Sequence, residues 1–196
     1  MDNFISFYNE QGVVPVRQKI DNDDRIKHFN RRINLYRQLG LAPALIEGKS
    51  ILEFGPGSGD NALLTSFLKP KYYKLVEGSQ SGFDYISERM AKGEFHPSTI
   101  IEIEHVLIQE YQDDRKYDVV LCEGLLPGQD EPQKLLAKVA QFVKPGGVLV
   151  ITTATYVSLL AEIMRRMLLP FFTADNEDEK LKKLCSFFER HLAHLQ

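Results

Sequence analysis

The chain predicts an α/β sandwich: a parallel sheet of order 3-2-1-4-5 with helices on both faces. Three observations predict it. Apolar, β-branched runs stand near 50–54, 73–77, 99–103, 117–122 and 147–153, helix-period segments stand between them near 60–68, 81–91, 132–143 and 155–168, and Gly or Pro marks the junctions. Strands separated by helices require parallel crossovers. Right-handed crossovers with one reversal after the third strand give that order, with a ligand cleft at the carboxyl ends of strands one and four.

The elements follow in chain order. Residues 1–20 carry Phe4, Phe7, Tyr8 and then Gly12-Val13-Val14-Pro15-Val16 without a sustained period, which predicts an irregular arm or short helix across the domain. Asp23 or Asp24 caps a helix to about Leu39, with Ile26, Phe29, Ile33, Tyr36 and Leu39 as its apolar face and Arg25, Arg31, Arg32 and Arg37 mostly off it. Gly40 ends that helix, and a short helix over Pro43 to Glu47 leads into strand one. The organisation is a helical cap over 1–48, a ligand-binding domain over 49–170 and a helical segment over 171–196. Within the last segment, Leu181, Leu184, Phe187, Phe188 and Leu192 recur at helical spacing.

Bulk properties bound the function. The 196 residues are 43% hydrophobic, enough for a real core in one main domain. A net charge of −3 gives no global attraction for nucleic acid. The apolar stretch from Tyr156 to Phe172 is broken by Glu162, Arg165 and Arg166, which argues against a membrane span, and the start at Met1-Asp2-Asn3 has no secretory pattern. Cys122 in a strand and Cys185 on a helix read as reduced structural thiols without metal-ligand spacing, so a cytoplasmic protein with no metal is expected.

The segment Ile51 to Ala62, Ile-Leu-Glu-Phe-Gly-Pro-Gly-Ser-Gly-Asp-Asn-Ala, decides the ligand. It is a strand, a loop with glycine at every second position (Gly55, Gly57, Gly59) and a helix start. A dinucleotide fingerprint needs a third glycine where Asp60 stands, and a carboxylate there repels a pyrophosphate. A Walker loop needs Gly-Lys-Ser/Thr, and the chain offers Gly59-Asp60-Asn61. An adenosine carrying positive charge instead of phosphate satisfies the acids, and S-adenosylmethionine is that ligand.

With its later landmarks the chain resembles the class I, Rossmann-like, S-adenosylmethionine-dependent methyltransferases. The first motif of that family resembles Glu53-Phe54-Gly55-Pro56-Gly57-Ser58-Gly59, and the second resembles Glu77 after Tyr73-Lys74-Leu75-Val76. Tyr117-Asp118-Val119-Val120-Leu121-Cys122-Glu123-Gly124 and Val143-Lys144-Pro145-Gly146-Gly147-Val148-Leu149-Val150-Ile151 resemble the fourth strand and the turn into the fifth. The resemblance implies that Glu53, Gly55, Pro56, Gly57, Ser58, Gly59 and Asn61 surround the amino-acid end of the cofactor. It further implies that Glu77 binds the ribose diol beside Gly78 and Ser79, that Val106 and Leu107 lie along adenine, and that Glu123 and Gly124 border the transferring methyl. As a plain structural group, Glu53 accepts from the loop's own N–H groups, a reading compatible with the first.

Catalytic candidates are Glu123, as base or substrate anchor, and His28, which shares a helix with Arg31, Arg32 and Tyr36; a solvated face is the favoured reading of that helix. The segment Glu123-Gly124-Leu125-Leu126-Pro127 lacks the Asn/Asp-Pro-Pro-aromatic signature of amino-group methyltransferases. The expected activity is methylation of a small molecule, oxygen first, with a sugar or secondary-metabolite acceptor. The competing expectation is a non-catalytic S-adenosylmethionine-binding module, regulatory or scaffolding, and an NAD enzyme ranks below both because of Asp60. Residues 170 to 196 hold no alternating β-branched run. The antiparallel hairpin that the family adds to its sheet is therefore expected to be missing, which leads to a truncated or absent remainder, an incomplete acceptor site and weak or absent turnover from residues 1–196, while the apolar helical face is expected to cover the edge of strand five or meet another chain, as in a homodimer.

Overall fold

In the computed structural model, which describes residues 5, 10, 22–174 and 176–192, the sheet is built around a strand buried on both faces, β1 (Ser50–Phe54). Ile51, Leu52 and Phe54 are wholly inaccessible, which identifies β1 as a central strand. Each such side chain contributes about 1.5–3 kcal/mol through its apolar surface. Around it lie β2 (Tyr72–Glu77), β3 (Ile100–His105), β4 (Tyr117–Cys122) and β5 (Val143–Ile151). All pairings are parallel, and the order is β3-β2-β1-β4-β5. Among the described residues no antiparallel strand joins this sheet.

The period of two along each strand sorts the core into two layers. Ile51, Tyr73, Leu75, Val119 and Leu121 face α1 (Asn22–Gln38), α2 (Asp60–Phe67) and α3 (Gln80–Ala91), where Tyr36, Ala62, Leu63 and Ile86 meet them. Leu52, Phe54, Val76, Val120 and Cys122 face the opposite way, onto Tyr111 and onto Leu135 and Val139 of α4 (Pro132–Ala140). Glu53, Glu77 and Glu123 share the parity of the first set. That arithmetic directs all three carboxylates to the face covered by α1–α3.

Several boundaries differ from expectation for visible reasons. The first helix already includes Asn22, so Asp23 and Asp24 lie inside it. The short helix after Gly40 is a 3-10 turn, Pro43–Leu45, because Gly48 at φ 70° turns the chain into β1. The strand expected at 99–103 starts and ends later, since its pairing with β2 continues to Glu77 opposite His105. Helix α4 stops at Ala140 because the Phe142 carbonyl already accepts from Tyr117 N–H at 2.7 Å, joining the sheet.

The expected turn at Val143 to Gly147 is strand with an irregularity, the register slipping between Tyr117 and Val119. Gly146 sits at φ 75°, and a Cβ on Gly147 would lie 2.9 Å from the Asp118 carbonyl. A bulge with that approach needs glycine. Lys144 secures it through Asp118 at 3.0 Å and Ser50 at 3.1 Å.

The chain divides into two compact units, Met1–Thr153 and Ala154–Gln196. The second holds α5 (Tyr156–Leu168) and α6 (Glu177–Leu192), with Phe172 against Phe187 edge to face at 5.4 Å. Apart from Ile5 and Glu10, the arm expected over 1–20 lies outside the described residues.

Candidate functional site

The glycine loop between β1 and α2 has three residues in the left-handed region, Gly55 at φ 64°, Gly57 at φ 58° and Gly59 at φ 76°. Buried Pro56 separates the first two, and Gly55 N–H donates to the Val76 carbonyl at 2.8 Å, which ties the loop to β2. A Cβ on Gly55 would stand 2.7 Å from Leu125. The loop is therefore packed by the segment after β4 as well as turned by its own backbone.

Glu77 clamps the loop. Its Oε2 accepts from Gly57 N–H and its Oε1 from Ser79 N–H, both at 2.8 Å, and it is only 6% exposed. Gly82 makes this possible, since a Cβ there would lie 2.8 Å from the Glu77 carboxyl carbon. Ser79 in turn caps α3, accepting from Gly82 N–H at 3.1 Å. A backbone donor that a dinucleotide loop would turn toward a pyrophosphate is here engaged by a carboxylate.

The charge of Asp60 is compensated within the protein. Its oxygens are held by the Ser58 hydroxyl at 2.7 Å and by Arg89 at 2.6 Å. The carboxylate that engages a loop N–H is thus Glu77, whereas Asp60 is paired with Arg89. Asn61 turns its side-chain oxygen to His28 Nε2 at 2.9 Å.

Glu53 departs from its plain structural reading too. It accepts from the Tyr73 hydroxyl on β2, not from loop N–H groups. Burial pushes its carboxyl up to about 7, with Glu123 and Glu77 adding in the same direction and Tyr73 and Arg32 opposing. Tyr73 itself is raised by burial and by Glu53, so its hydroxyl remains a donor.

Glu123, just past β4, receives both Arg32 and the Tyr36 hydroxyl, the latter at 2.9 Å. Arg32 donates to both oxygens of Glu123, and the ion pair is largely sequestered, the side chains being 11% and 17% exposed. Its Nε is buried with no partner among the described residues. His28, Arg32 and Tyr36 stand four residues apart on one stripe of α1, facing α2 and β4. The solvated face favoured from sequence holds for Arg31, which is exposed, but not for these three. Spacing of i, i+4, i+8 was the available signal.

The remaining expected residues divide. Ser58 is 9% exposed and turned to Asp60. Gly78, Ile5 and Leu107 meet over the end of β2, where a Gly78 Cβ would lie 3.0 Å from Ile5 and 3.2 Å from Leu107. Val106 packs against the opposite core layer instead, its N–H donating to the Glu77 carbonyl at 3.1 Å. Gly124, at φ 76°, is exposed with open space around it. Burial and then Glu123 push the Cys122 thiol up to about 12, so it stays protonated. Among the described residues no three His, Cys, Asp or Glu side chains are grouped to hold a metal, and no helix is long and apolar enough to cross a membrane.

Comparison with known proteins places this geometry. Coclaurine N-methyltransferase bound to N-methylheliamine and SAH superposes with a TM-score of 0.54 at 18% identity, over 77% of this chain and 44% of that one. PKMT2 from Rickettsia typhi in complex with AdoHcy gives 0.59 at 19% identity, over 78% and 30%. A DhpI-SAM-HEP complex gives 0.51 at 17%, over 83% and 70%. The chain thus spans less than half the length of the first two, and at these identities the likeness is one of fold. No curated protein matches the sequence. The family model for a methyltransferase domain matches residues 26–195, and the chain accordingly belongs to that family, the S-adenosylmethionine-dependent methyltransferases of Rossmann-like fold.

Proposed function

We propose that this protein binds S-adenosylmethionine across the carboxyl ends of β1, β2 and β4 and transfers its methyl group to a small-molecule acceptor, with oxygen the favoured acceptor atom. The observation that carries the reading is the trio Glu53, Glu77 and Glu123 beside a loop of three left-handed glycines, with Arg32 the cation paired into it. Such a set suits a ligand of net positive charge with a diol at one end and an amino acid at the other. The residues fit on the structure's own terms. The glycine loop holds three left-handed turns that larger residues rarely adopt, and Arg32 Nε is a buried donor still open to a carboxylate.

In this reading Glu77 offers its remaining lone pairs to the ribose hydroxyls while keeping Gly57 and Ser79 in place. Gly78, Ser79 and Leu107 border the adenine, with Ile5 above them. Pro56, Gly57, Ser58, Gly59 and Asn61 shape the amino-acid end, and Gly124 leaves the methyl side open. The cofactor supplies an electrophilic methyl on a cationic sulfur, so the protein's main contribution is alignment and exclusion of water. Glu123, with both oxygens held, serves as an anchor for the acceptor or the α-amino group rather than as a free base, and His28, bonded to Asn61, orients the loop.

Oxygen over nitrogen is supported by the missing Pro-Pro signature after Glu123, and a small acceptor by the absence of a net basic charge. Calorimetry with S-adenosylhomocysteine followed by an acceptor screen tests the function. Tight binding with weak turnover on hydroxylated metabolites is expected. Binding without turnover across alcohols, phenols and amines would favour the non-catalytic module, and no binding would refute both.

A further inference from the structure

We propose that Glu53 is a charge-sensing specificity residue, which loses its proton when a sulfonium donor enters the cleft and regains it once the methyl has left. The site would then hold S-adenosylmethionine in preference to its uncharged thioether product. The inference rests on the cofactor reading above and deepens it.

The geometry is that of a carboxyl group without a cation of its own. Glu53 lies inside β1 and is 5% exposed. The groups facing it are Tyr73 and Glu77 from β2, Glu123 just past β4, and Arg32 and Tyr36 from α1; the uncharged Thr65 of α2 meets Tyr73 instead. Three carboxyl groups therefore share one guanidinium, and that guanidinium makes its hydrogen bonds to Glu123 and Tyr36. Tyr73 steadies Glu53 by donating a hydrogen bond but brings no charge. An ionised Glu53 would be a buried charge beside two further carboxyl groups, and burial accordingly holds its carboxyl near 7.

A ligand cation at the edge of β1 changes that balance. An opposite charge within about 4–6 Å lowers a carboxyl pKa by about one to three. The proton passes to solvent as the sulfonium binds. When the methyl leaves with its bond to sulfur broken, the bonding pair stays on sulfur, the thioether is neutral, and Glu53 takes a proton back from solvent. Donor and product share the adenosine, the α-amino group and the carboxylate, so the sulfur's charge is the difference that Glu53 senses.

The test is calorimetry of the whole chain with S-adenosylmethionine and with S-adenosylhomocysteine at about pH 6 and about pH 7.5. It is repeated near pH 7 in two buffers of different ionisation enthalpy to count protons. The expected result is a product-to-donor Kd ratio that rises about four- to eight-fold between the two pH values, with more protons released by the donor. Glu53→Gln, which keeps the acceptor for Tyr73, should flatten the ratio. If that variant fails to fold, the proton count on the native protein decides by itself. Both ligands binding with a pH-independent ratio and equal proton release would overturn the proposal alone. Neither ligand binding at either pH would overturn the cofactor reading and the proposal with it.

Discussion

Replacing Glu77 with alanine removes two hydrogen bonds and, in the proposed complex, the ribose anchor. Both bonds are 2.8 Å long, and they join a charged acceptor to backbone donors on either side of the cleft, Gly57 and Ser79. With Glu77 6% exposed and Ser79 likewise 6%, the Ser79 N–H loses its partner out of reach of bulk water, at about 1–3 kcal/mol. The Gly57 N–H is nearer solvent and costs less, so about 2–4 kcal/mol of stability should disappear without cofactor. Affinity for S-adenosylhomocysteine should fall by a further ~1.5–3 kcal/mol, roughly ten- to more than a hundred-fold. Urea unfolding of the free protein reads the first quantity, and calorimetry on folded variant reads the second. An unchanged unfolding free energy would refute the clamp. Lost stability with unaltered affinity would refute the ribose role and leave Glu77 a structural tie between loop and helix.

Other outcomes follow from the same geometry. Gly57→Val, which forces a β-branched residue to φ 58°, should abolish cofactor binding while costing the fold about 1–2 kcal/mol; titration of the folded variant with S-adenosylhomocysteine checks it, and normal affinity would remove the loop from the site. Glu53 binds a proton more tightly folded than unfolded, so its contribution to stability is full below about pH 4.5 and declines as pH rises to about 7. Chemical denaturation across that window should find Glu53→Gln lacking this downward slope. Cys185 is exposed and Cys122 buried with its thiol pushed up to about 12, so a maleimide should label one thiol in the native protein and two in denaturant; two fast native thiols would contradict the packing of β4.

What the sequence determined by itself is whatever is written within a few residues. The apolar runs in Ser50–Phe54, Tyr72–Glu77 and Tyr117–Cys122, the glycines at 55, 57 and 59, and helical segments of crossover length imply the parallel sheet, its order and the turn that opens the cleft. Glu77 was legible because the interval from the glycines to the end of the next strand is set by one crossover helix.

Only the tertiary structure decided which charged groups meet. Arg32 and Glu123 are 91 positions apart, and their pairing depends on how α1 lies over the sheet, which no local pattern encodes. Tyr73 reaches Glu53 across a strand register, and Arg89 of α3 pairs with Asp60 of α2 from 29 positions away. The bulge at Gly146 and Gly147 was hidden for a related reason, since a glycine pair reads equally well as a turn until the neighbouring strand's carbonyl is in place. Backbone conformation is a short-range property, whereas charge compensation in a buried site is settled by whichever partners the folded chain brings within a few ångströms.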